Sequence, residues 1–571
     1  MSKAPDDLKF LSAVGGRLGP TSQWLTACAV CLVAALAGNA VLLFSDKIIL
    51  GVDLYTHYRW ALQFHQALAE GVLYPRWVSA ASYGLGEPAF VYYPPCYSYL
   101  VSWLRAVTGD LWASMKVVAM VATLLAGIVA YAIARRAVGH KWALLAAVLV
   151  QTMPFLLFMQ GYLNTFPWHA SVPLILLTFH ETLVPTKSFP NWRLSVAVAL
   201  LAMTHILAAF MVLLCLPWAR LRRETTTVGE GWPTSLVRWG LSVGAGLLLA
   251  MPYLLPALTT WDLIHPEAWN YSKTVDWRTA FAFPFITSRL WGLRWFGPQW
   301  VLASSALILA AIATTVAFRF HRHRMALPLG LAPLLCIAWA GLFFASELSY
   351  PLYAALGPLR MVQYPYRFLC VAAPAATIAS VLALWGVVRQ DQGIGWRAAS
   401  ALPLVGSALL FGVLQLGIVR EGSQPHLSPK LLLNYFGAPE YYTASRKPGW
   451  KAYVDSGGMR GFSVRAGGDS RALLDRSHEK LWLVQTNSGM TLPLPVFAYP
   501  AWSISVDGQP RRPLTDPETG LLAVALPAGE HRVRVVWSGL PEERQGIAIA
   551  LLAAALMAGM TFWKRSLRAA S

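Results

Sequence analysis

Trp24-Leu25-Thr26-Ala27-Cys28-Ala29-Val30-Cys31-Leu32-Val33-Ala34-Ala35-Leu36-Ala37-Gly38-Asn39-Ala40-Val41-Leu42-Leu43-Phe44 runs without a single charge. About 20 apolar residues are enough to cross a bilayer as a helix. Lys3, Lys9 and Arg17 flank it, and no small-residue cleavage site follows. The run therefore reads as a retained anchor, not a signal peptide. Working outward, similar runs lie at about 115–134, 141–159, 168–184, 236–258, 299–317, 325–345, 367–388, 398–419 and 544–563. They predict a polytopic α-helical membrane protein with about ten full spans.

Composition agrees. The 571 residues are 56% hydrophobic and 13% charged, with a mean hydropathy of +0.49. Soluble domains carry about 25% charged residues. Disorder is excluded by 25 Trp, 21 Tyr and 24 Phe. The net charge of +19 sits largely in short loops: Arg135-Arg136, Arg220 with Arg222-Arg223, Arg319 with His321-Arg322-His323-Arg324, and Lys564-Arg565. That is the positive-inside pattern, and it argues against nucleic acid as a partner. Of the six cysteines, five lie in apolar runs as small hydrophobes, Cys28-x-x-Cys31 included. They show no disulfide framework or zinc spacing.

Parity then sets the topology, with both termini cytoplasmic. Arg135-Arg136, Lys187, Arg193, Arg220–Arg238, Arg319–Arg324, Arg389–Arg397 and Lys564-Arg565 all fall inside. Leu194–Trp218 begins and ends inside, yet two crossings need about 40 residues. It is expected to be a broken, re-entrant hairpin with its tip near Thr204-His205. The outward face collects Ser45–Ser114, Thr259–Pro298, Ser346–Tyr366 and Arg420–Glu543. Three units result: a multi-span domain at 1–419 with a large first outer loop at 45–114, an extracytoplasmic β-sandwich-like domain at 420–543, and a last span with a basic tail at 544–571. In the second unit, Leu481–Gln485, Leu521–Leu526 and Arg532–Trp537 read as strands. Val506-Asp507-Gly508-Gln509 carries the Asp-Gly hairpin signal. This unit either binds carbohydrate or braces the membrane core.

The first outer loop holds Gly51-Val52-Asp53-Leu54-Tyr55-Thr56-His57-Tyr58-Arg59-Trp60. Asp53–Glu70 contains no breaker and reads as a helix lying at the membrane interface. Asp53 and His57 share one of its faces. Asp53 stands where a carboxylate caps a helix, a role compatible with a chemical one. Tyr74-Pro75-Arg76-Trp77, Gly84-Leu85-Gly86-Glu87-Pro88 and Tyr92-Tyr93-Pro94-Pro95 follow. Most of the loop's aromatics read as an interfacial belt, with Tyr92 and Tyr93 as a site wall. Further along, Arg360 and Arg367, around Tyr364-Pro365-Tyr366, stand at the outer end of a span, against the positive-inside bias. Ionisable groups there are functional candidates, and guanidinium suits a phosphate. The bland alternatives are snorkelling or a carboxylate partner in the bundle.

In this order, with Thr204-His205 and Tyr499-Pro500-Ala501-Trp502…Val506-Asp507-Gly508, these motifs resemble the bacterial polytopic membrane proteins called 6-pyruvoyl-tetrahydropterin synthase-related. Those are similar to the GT-C superfamily of membrane glycosyltransferases. Pterin chemistry itself has no support, since the chain shows no soluble pterin domain and its His residues are scattered. The resemblance implies a GT-C-like fold, a sugar donor carried on polyprenyl phosphate, and transfer to a glycan or lipid acceptor. The location implied is the extracytoplasmic face of a bacterial inner membrane. It also implies an acid in the first outer loop acting as base or metal ligand, a position matched by Asp53. Many such enzymes pair two acids, whereas Leu54 stands beside Asp53, so the need for a divalent cation stays open.

The expected roles follow. Asp53 deprotonates the acceptor, with His57 orienting it or sharing its proton. Arg360 or Arg367 holds the phosphate, and His205 adds a hydrogen bond. Arg59, Glu87, Tyr92, Tyr93 and Tyr364 complete the substrate contacts. Asp262, His265 and Glu267 are secondary candidates. Direct attack would invert the anomeric centre. The competing readings are a non-catalytic carrier of lipid-linked glycan and a membrane assembly protein.

Overall fold

The computed structural model describes residues 19–44, 48–49, 53–185, 190–221, 231–265, 276–283, 297–421, 423–424, 438–455 and 468–570. Among these, seven helices are long and apolar enough to cross a bilayer: Pro20–Gly38, Leu111–Arg135, His140–Leu163, Trp300–Arg322, Pro365–Arg389, Ile394–Gly417 and Pro541–Phe562. One bent pair makes an eighth.

The difference from about ten has local causes. The run at 325–345 becomes helical only at Leu331, after Gly330 adopts a left-handed φ of 80°. The run at 236–258 splits into Trp232–Leu249 and Met251–Thr259, bent by 81°. Pro252, at the start of the second piece, lacks the N–H that would continue the first. The segment read as 168–184 forms Phe166–Leu183, which buries His169, Ser171, Thr178, Glu181 and Thr182 and holds an internal Pro173. The expected break near Thr204-His205 is present. His205 alone separates helices Trp192–Thr204 and Ile206–Cys215.

The bundle is built around Leu369–Arg389. This helix is buried on nearly every face and packs on Leu331–Ala345, Gly297–Arg322, Ile394–Glu421 and His140–Gln151. Small residues permit that closeness. A Cβ on Gly341 would stand 3.0 Å from that of Ala372.

The C-terminal β region forms two antiparallel sheets. Five strands run in the order Gly468–Asp475, Glu479–Thr486, Gly529–Trp537, Trp502–Val506, Gln509–Arg511. Three run in the order Met490–Phe497, Leu521–Leu526, Leu514–Thr515. All three expected strands lie within these elements. Asp507 (φ 51°) and Gly508 (φ 80°) form the tight turn that pairs Val506 with Gln509. Val484, Val496, Ile504, Val524 and Val533 share one core between the sheets.

This region is locked onto the first loop by rings. Trp77 packs 5.3 Å from Trp502 and 5.7 Å from Trp537. A Cβ on Gly86 would strike the Trp77 ring. Trp60, Trp77 and Tyr97 are buried inside the protein, so they do not form the expected belt. Their faces are consumed in joining the loop to the β region and the bundle.

Arg76, 2% exposed, is the polar centre of that junction. Its Nη2 donates to the Pro252 carbonyl at 2.7 Å, its Nε lies 3.6 Å from Glu543, and its backbone N–H donates to His478 Nε2 at 3.0 Å. The Tyr74 ring covers the guanidinium at 3.5 Å. Arg76→Met strands the Glu543 carboxylate and the Pro252 carbonyl together. It is expected to cost about 3 kcal/mol, read as a lowered thermal unfolding midpoint of the nanodisc-embedded protein.

Candidate active site

Asp53 begins the helix Leu54–Ala69, matching the expected interfacial helix in extent. Its side chain caps no N–H of that helix, so the capping role is not taken up. Its own N–H donates to the Leu163 carbonyl at 3.0 Å. That carbonyl is presented by a π-helical turn, Phe158–Leu163, closed by Asn164 at a left-handed φ of 52°. Such turns recur at functional sites. A buried polar chain holds this one, with Gln160 Nε2 donating to Asn39 Oδ1 and Asn39 Nδ2 donating to Ala35 O.

Arg367 faces Asp53 from the turn Pro365–Phe368, where the Leu369–Arg389 helix begins. Burial pushes the Asp53 carboxyl above the usual carboxylate range, and the Arg367 charge opposes that. No ion pair or hydrogen bond joins the two side chains. The Arg367 charge reaches the Asp53 carboxyl without a direct bond. Arg367 Nε is buried without a hydrogen-bond partner among the described residues. The guanidinium lies 4.7 Å from the Tyr364 ring and 5.5 Å from that of Trp168.

His205 stacks on Trp168 at 5.7 Å and 19°. Its Nδ1 accepts the Ala208 N–H at 3.1 Å, capping the following helix. An accepting Nδ1 leaves the ring proton on Nε2, a free donor. His205 feels the charges of both Arg367 and His57. His57 is buried 5.8 Å from the Tyr93 ring and 6.2 Å from Trp60. Burial alone pushes its pKa down to about 3, so it is neutral near pH 7. No hydrogen bond joins it to the Asp53 carboxyl. Tyr93 senses Asp53, Arg367 and Glu440.

Six expected residues thus converge: Asp53, His57, Tyr93, His205, Tyr364 and Arg367. Others do not. Arg360 is exposed and donates to the Tyr353 carbonyl at 2.9 Å and to that of Ala354. It satisfies the open end of the helix Tyr350–Ala355 and does not serve the site. Tyr92 donates to the Thr260 carbonyl at 2.7 Å and meets Tyr499 Oη at 3.0 Å, so it is a clasp between elements and not a wall. The Arg59 guanidinium lies 5.7 Å from the Tyr55 ring. Asp262 is exposed, and the His265 backbone bonds Tyr442. Glu267 lies outside the described residues, as do Gly51 and Val52.

Glu87 is fully buried beside the cluster. It accepts the Ala438 N–H at 3.1 Å. Burial first, and the Glu440 charge in addition, push it up to about 8, against the Ala438 bond and Arg446. Sequence reading missed Glu440 and Trp168. Trp168 looked like the start of a span, whereas Glu440 carried a signal in its aromatic setting, Pro439-Glu440-Tyr441-Tyr442. Among the described residues no three His, Cys, Asp or Glu side chains are grouped to hold a metal ion. The opposing charge that the Asp53 carboxyl feels is the Arg367 guanidinium.

The sequence model described as 6-pyruvoyl-tetrahydropterin synthase related domain, membrane protein, matches residues 90–427, more than half of the chain. The chain belongs to this family. No curated protein matches it. Among solved structures, it is similar to the Archaeoglobus fulgidus oligosaccharyltransferase in its apo form, at 14% identity and a TM-score of 0.45, covering 74% of this chain and 60% of that one. It is also similar to ArnT from Cupriavidus metallidurans bound to undecaprenyl phosphate, at 15% identity and a TM-score of 0.40, covering 70% and 72%. A third is the arabinofuranosyltransferase AftD from Mycobacteria, at 15% and 0.42, covering 72% and 28%. The chain spans about 60% of the length of the first of these.

The raised Glu87 carboxyl makes stability depend on pH. Between its ordinary value of 4.5 and about 8, the folded state holds a proton that the unfolded state has lost. Stability is therefore full below the lower value and falls as pH rises through the upper one. The unfolding midpoint is expected to drop by roughly several degrees from pH 5 to pH 8. Glu87→Gln should flatten that slope.

Proposed function

We propose that this protein is a membrane glycosyltransferase that moves a sugar from a polyprenyl-phosphate donor to an envelope acceptor on the extracytoplasmic face. One observation carries the reading: the half-buried Asp53 carboxyl feels the charge of the half-buried Arg367 guanidinium with no bond between the two, and the His205 imidazole donor lies within reach of the same guanidinium's charge. A phosphate-linked sugar needs those groups. Its phosphate leaves as an anion, which Arg367 and His205 Nε2 are placed to receive. The acceptor hydroxyl must lose a proton, and Asp53 is the base on the opposite side. The acceptor oxygen forms the new bond to the anomeric carbon. The carbon–oxygen bond to phosphate breaks with its electron pair going to the phosphate, and the hydroxyl proton passes to Asp53. Attack from the side opposite the phosphate inverts the anomeric centre. His57, neutral and packed on Tyr93, shapes the acceptor side. The charge distribution in the loops supports cytoplasmic termini and an outward site.

The test uses wild type, Asp53→Asn and Arg367→Lys in lipid nanodiscs. Each receives a panel of polyprenyl-phosphate sugars and an envelope extract as acceptor, with and without a divalent cation. Release of polyprenyl phosphate is read by mass spectrometry. Asp53→Asn is expected to lose roughly 10²–10⁴-fold in rate, and Arg367→Lys roughly 10²-fold through loss of its planar fork. The wild-type rate should decline as pH falls through a limb lying above the usual carboxylate range, because the base works only when ionised. Equal rates in wild type and a folded Asp53→Asn would remove Asp53 as base. An absence of both donor binding and release would favour the carrier or assembly reading.

A further inference from the structure

A cluster of unused charge lies at the far end of the bundle from Asp53. The helix Gly297–Arg322 closes on Arg319, His321 and Arg322, and His323 and Arg324 follow. His321, Arg322, His323 and Arg324 are exposed, and among the described residues their side chains have no hydrogen-bond or ion-pair partner. The helix dipole accounts for cations at a helix end in general. It does not account for Arg324. The helix is closed by bonds from the Arg324 N–H to the His321 carbonyl at 3.1 Å and from the Met325 N–H to the Phe320 carbonyl at 2.8 Å, with Arg324 at a left-handed φ of 54°. Glycine is the usual residue at that point of such a closure. An arginine there gives up backbone ease, which points to a use for its side chain.

Arg324 and His321 line an open groove of about 470 Å³ together with Met325, Leu327 and Leu329. One wall is polar and cationic, the other apolar. The loop that forms it is held in place by its neighbours. Gln390 Nε2 donates to the Ala326 carbonyl at 3.0 Å, Arg319 Nη2 donates to Gln392 Oε1 at 3.1 Å, and a Cβ on Gly386 would stand 3.2 Å from Pro328 Cγ. The acid of the neighbouring loop, Asp391, is paired with Arg397 and does not cancel the Arg324 charge. The groove stands at the end of a membrane-crossing helix, Trp300–Arg322, at the depth of lipid headgroups. Phe318, 65% exposed, lies one turn before His321 and Arg322 on the same helix face, where an acyl chain would pass. A free phosphate would engage the guanidinium and leave Leu327 and the 46% exposed Leu329 unused.

We propose that this groove binds an anionic phospholipid, with Arg324 and His321 on the headgroup phosphate and Met325, Leu327 and Leu329 against its glycerol and first acyl carbons. The guanidinium supplies paired donors to the phosphate oxygens, and the imidazole adds one more. Basic pockets between membrane helices take lipid headgroups by this chemistry. The site is separate from the transferase reading. It lies at the opposite end of the Leu369–Arg389 helix from Arg367, roughly 30 Å away for 21 residues.

The left-handed position of Arg324 makes a clean test, because Arg324→Gly removes the charge and keeps the backbone. Full-length wild type, Arg324→Gly and Arg322→Gln are purified in a neutral detergent. Each is titrated with dioleoyl phosphatidylglycerol, with dioleoyl phosphatidylcholine or with glycerol phosphate, and thermal unfolding is followed. Phosphatidylglycerol is expected to raise the wild-type midpoint saturably, and phosphatidylcholine and glycerol phosphate are expected to leave it unchanged. Arg324→Gly should unfold no lower than wild type without lipid, yet need about tenfold more phosphatidylglycerol for half the effect. Arg322→Gln, whose side chain does not line the groove, should titrate like wild type. An equal response in Arg324→Gly, or an equal loss in Arg322→Gln, would leave only diffuse surface charge and overturn the site. Equal stabilisation by phosphatidylcholine would overturn its selectivity for charge, and stabilisation by glycerol phosphate would make the ligand a soluble anion instead of a lipid.

Discussion

The structure depends on one buried cation, the Arg76 guanidinium. A charge with so little exposure is tolerated only where its neighbours replace the water it has lost. Here they come from parts of the chain far apart: the bend at Pro252, Glu543 at the head of the last helix and the ring of Tyr74, while the Arg76 backbone reaches His478 in the β region. The first loop is therefore not a surface excursion. It is an inner layer between the membrane bundle and the sheets. The aromatic contacts of Trp77 with Trp502 and Trp537 add the apolar area that a single charged junction could not supply.

Once the loop is held on that side, its helix Leu54–Ala69 has a fixed attitude, and Asp53 at its head meets the π-helical turn ending at Leu163. The opposite wall is set independently. Arg367 sits where a buried helix starts, and Trp168 and His205 line up beside it through ring stacking. The site is thus the seam between an element positioned by the Arg76 junction and one positioned by the bundle core. An acid and a cation on opposite sides of a seam remain unpaired, because neither wall can move to close the gap without unpacking its own support.

The sequence revealed the membrane class, the broken segment at His205, the β strands and six of the converging residues. These are the features written in local pattern: hydropathy, an Asp-Gly turn, an i,i+4 face, or an arginine at the wrong end of a span. Arg360 and Arg367 show where that kind of reading stops. They sit in equivalent patterns, seven residues apart. Only the fold tells that one finds carbonyls at the end of its own short helix while the other stands against Asp53. Glu440 was hidden for a different reason. It is separated from Asp53 by nearly the whole chain, and its segment reaches the first loop through the bond of Ala438 to Glu87 and the packing of Tyr441 on Trp60 and Tyr92. The aromatics of the first loop misled because burial between protein layers and burial in a lipid interface demand the same residues.

That pairing also changes what the β region is for. The sequence leaves open whether this region binds carbohydrate or braces the membrane core. In the structure the segment leading into its strands is tied to the first loop by the bond from the Ala438 N–H to Glu87. Glu87 favours its neutral form there, first because it is buried and then because of the Glu440 charge. Docking of the β region is therefore linked to the proton on Glu87. A pH that ionises Glu87 weighs against the seating of the sheets on the first loop.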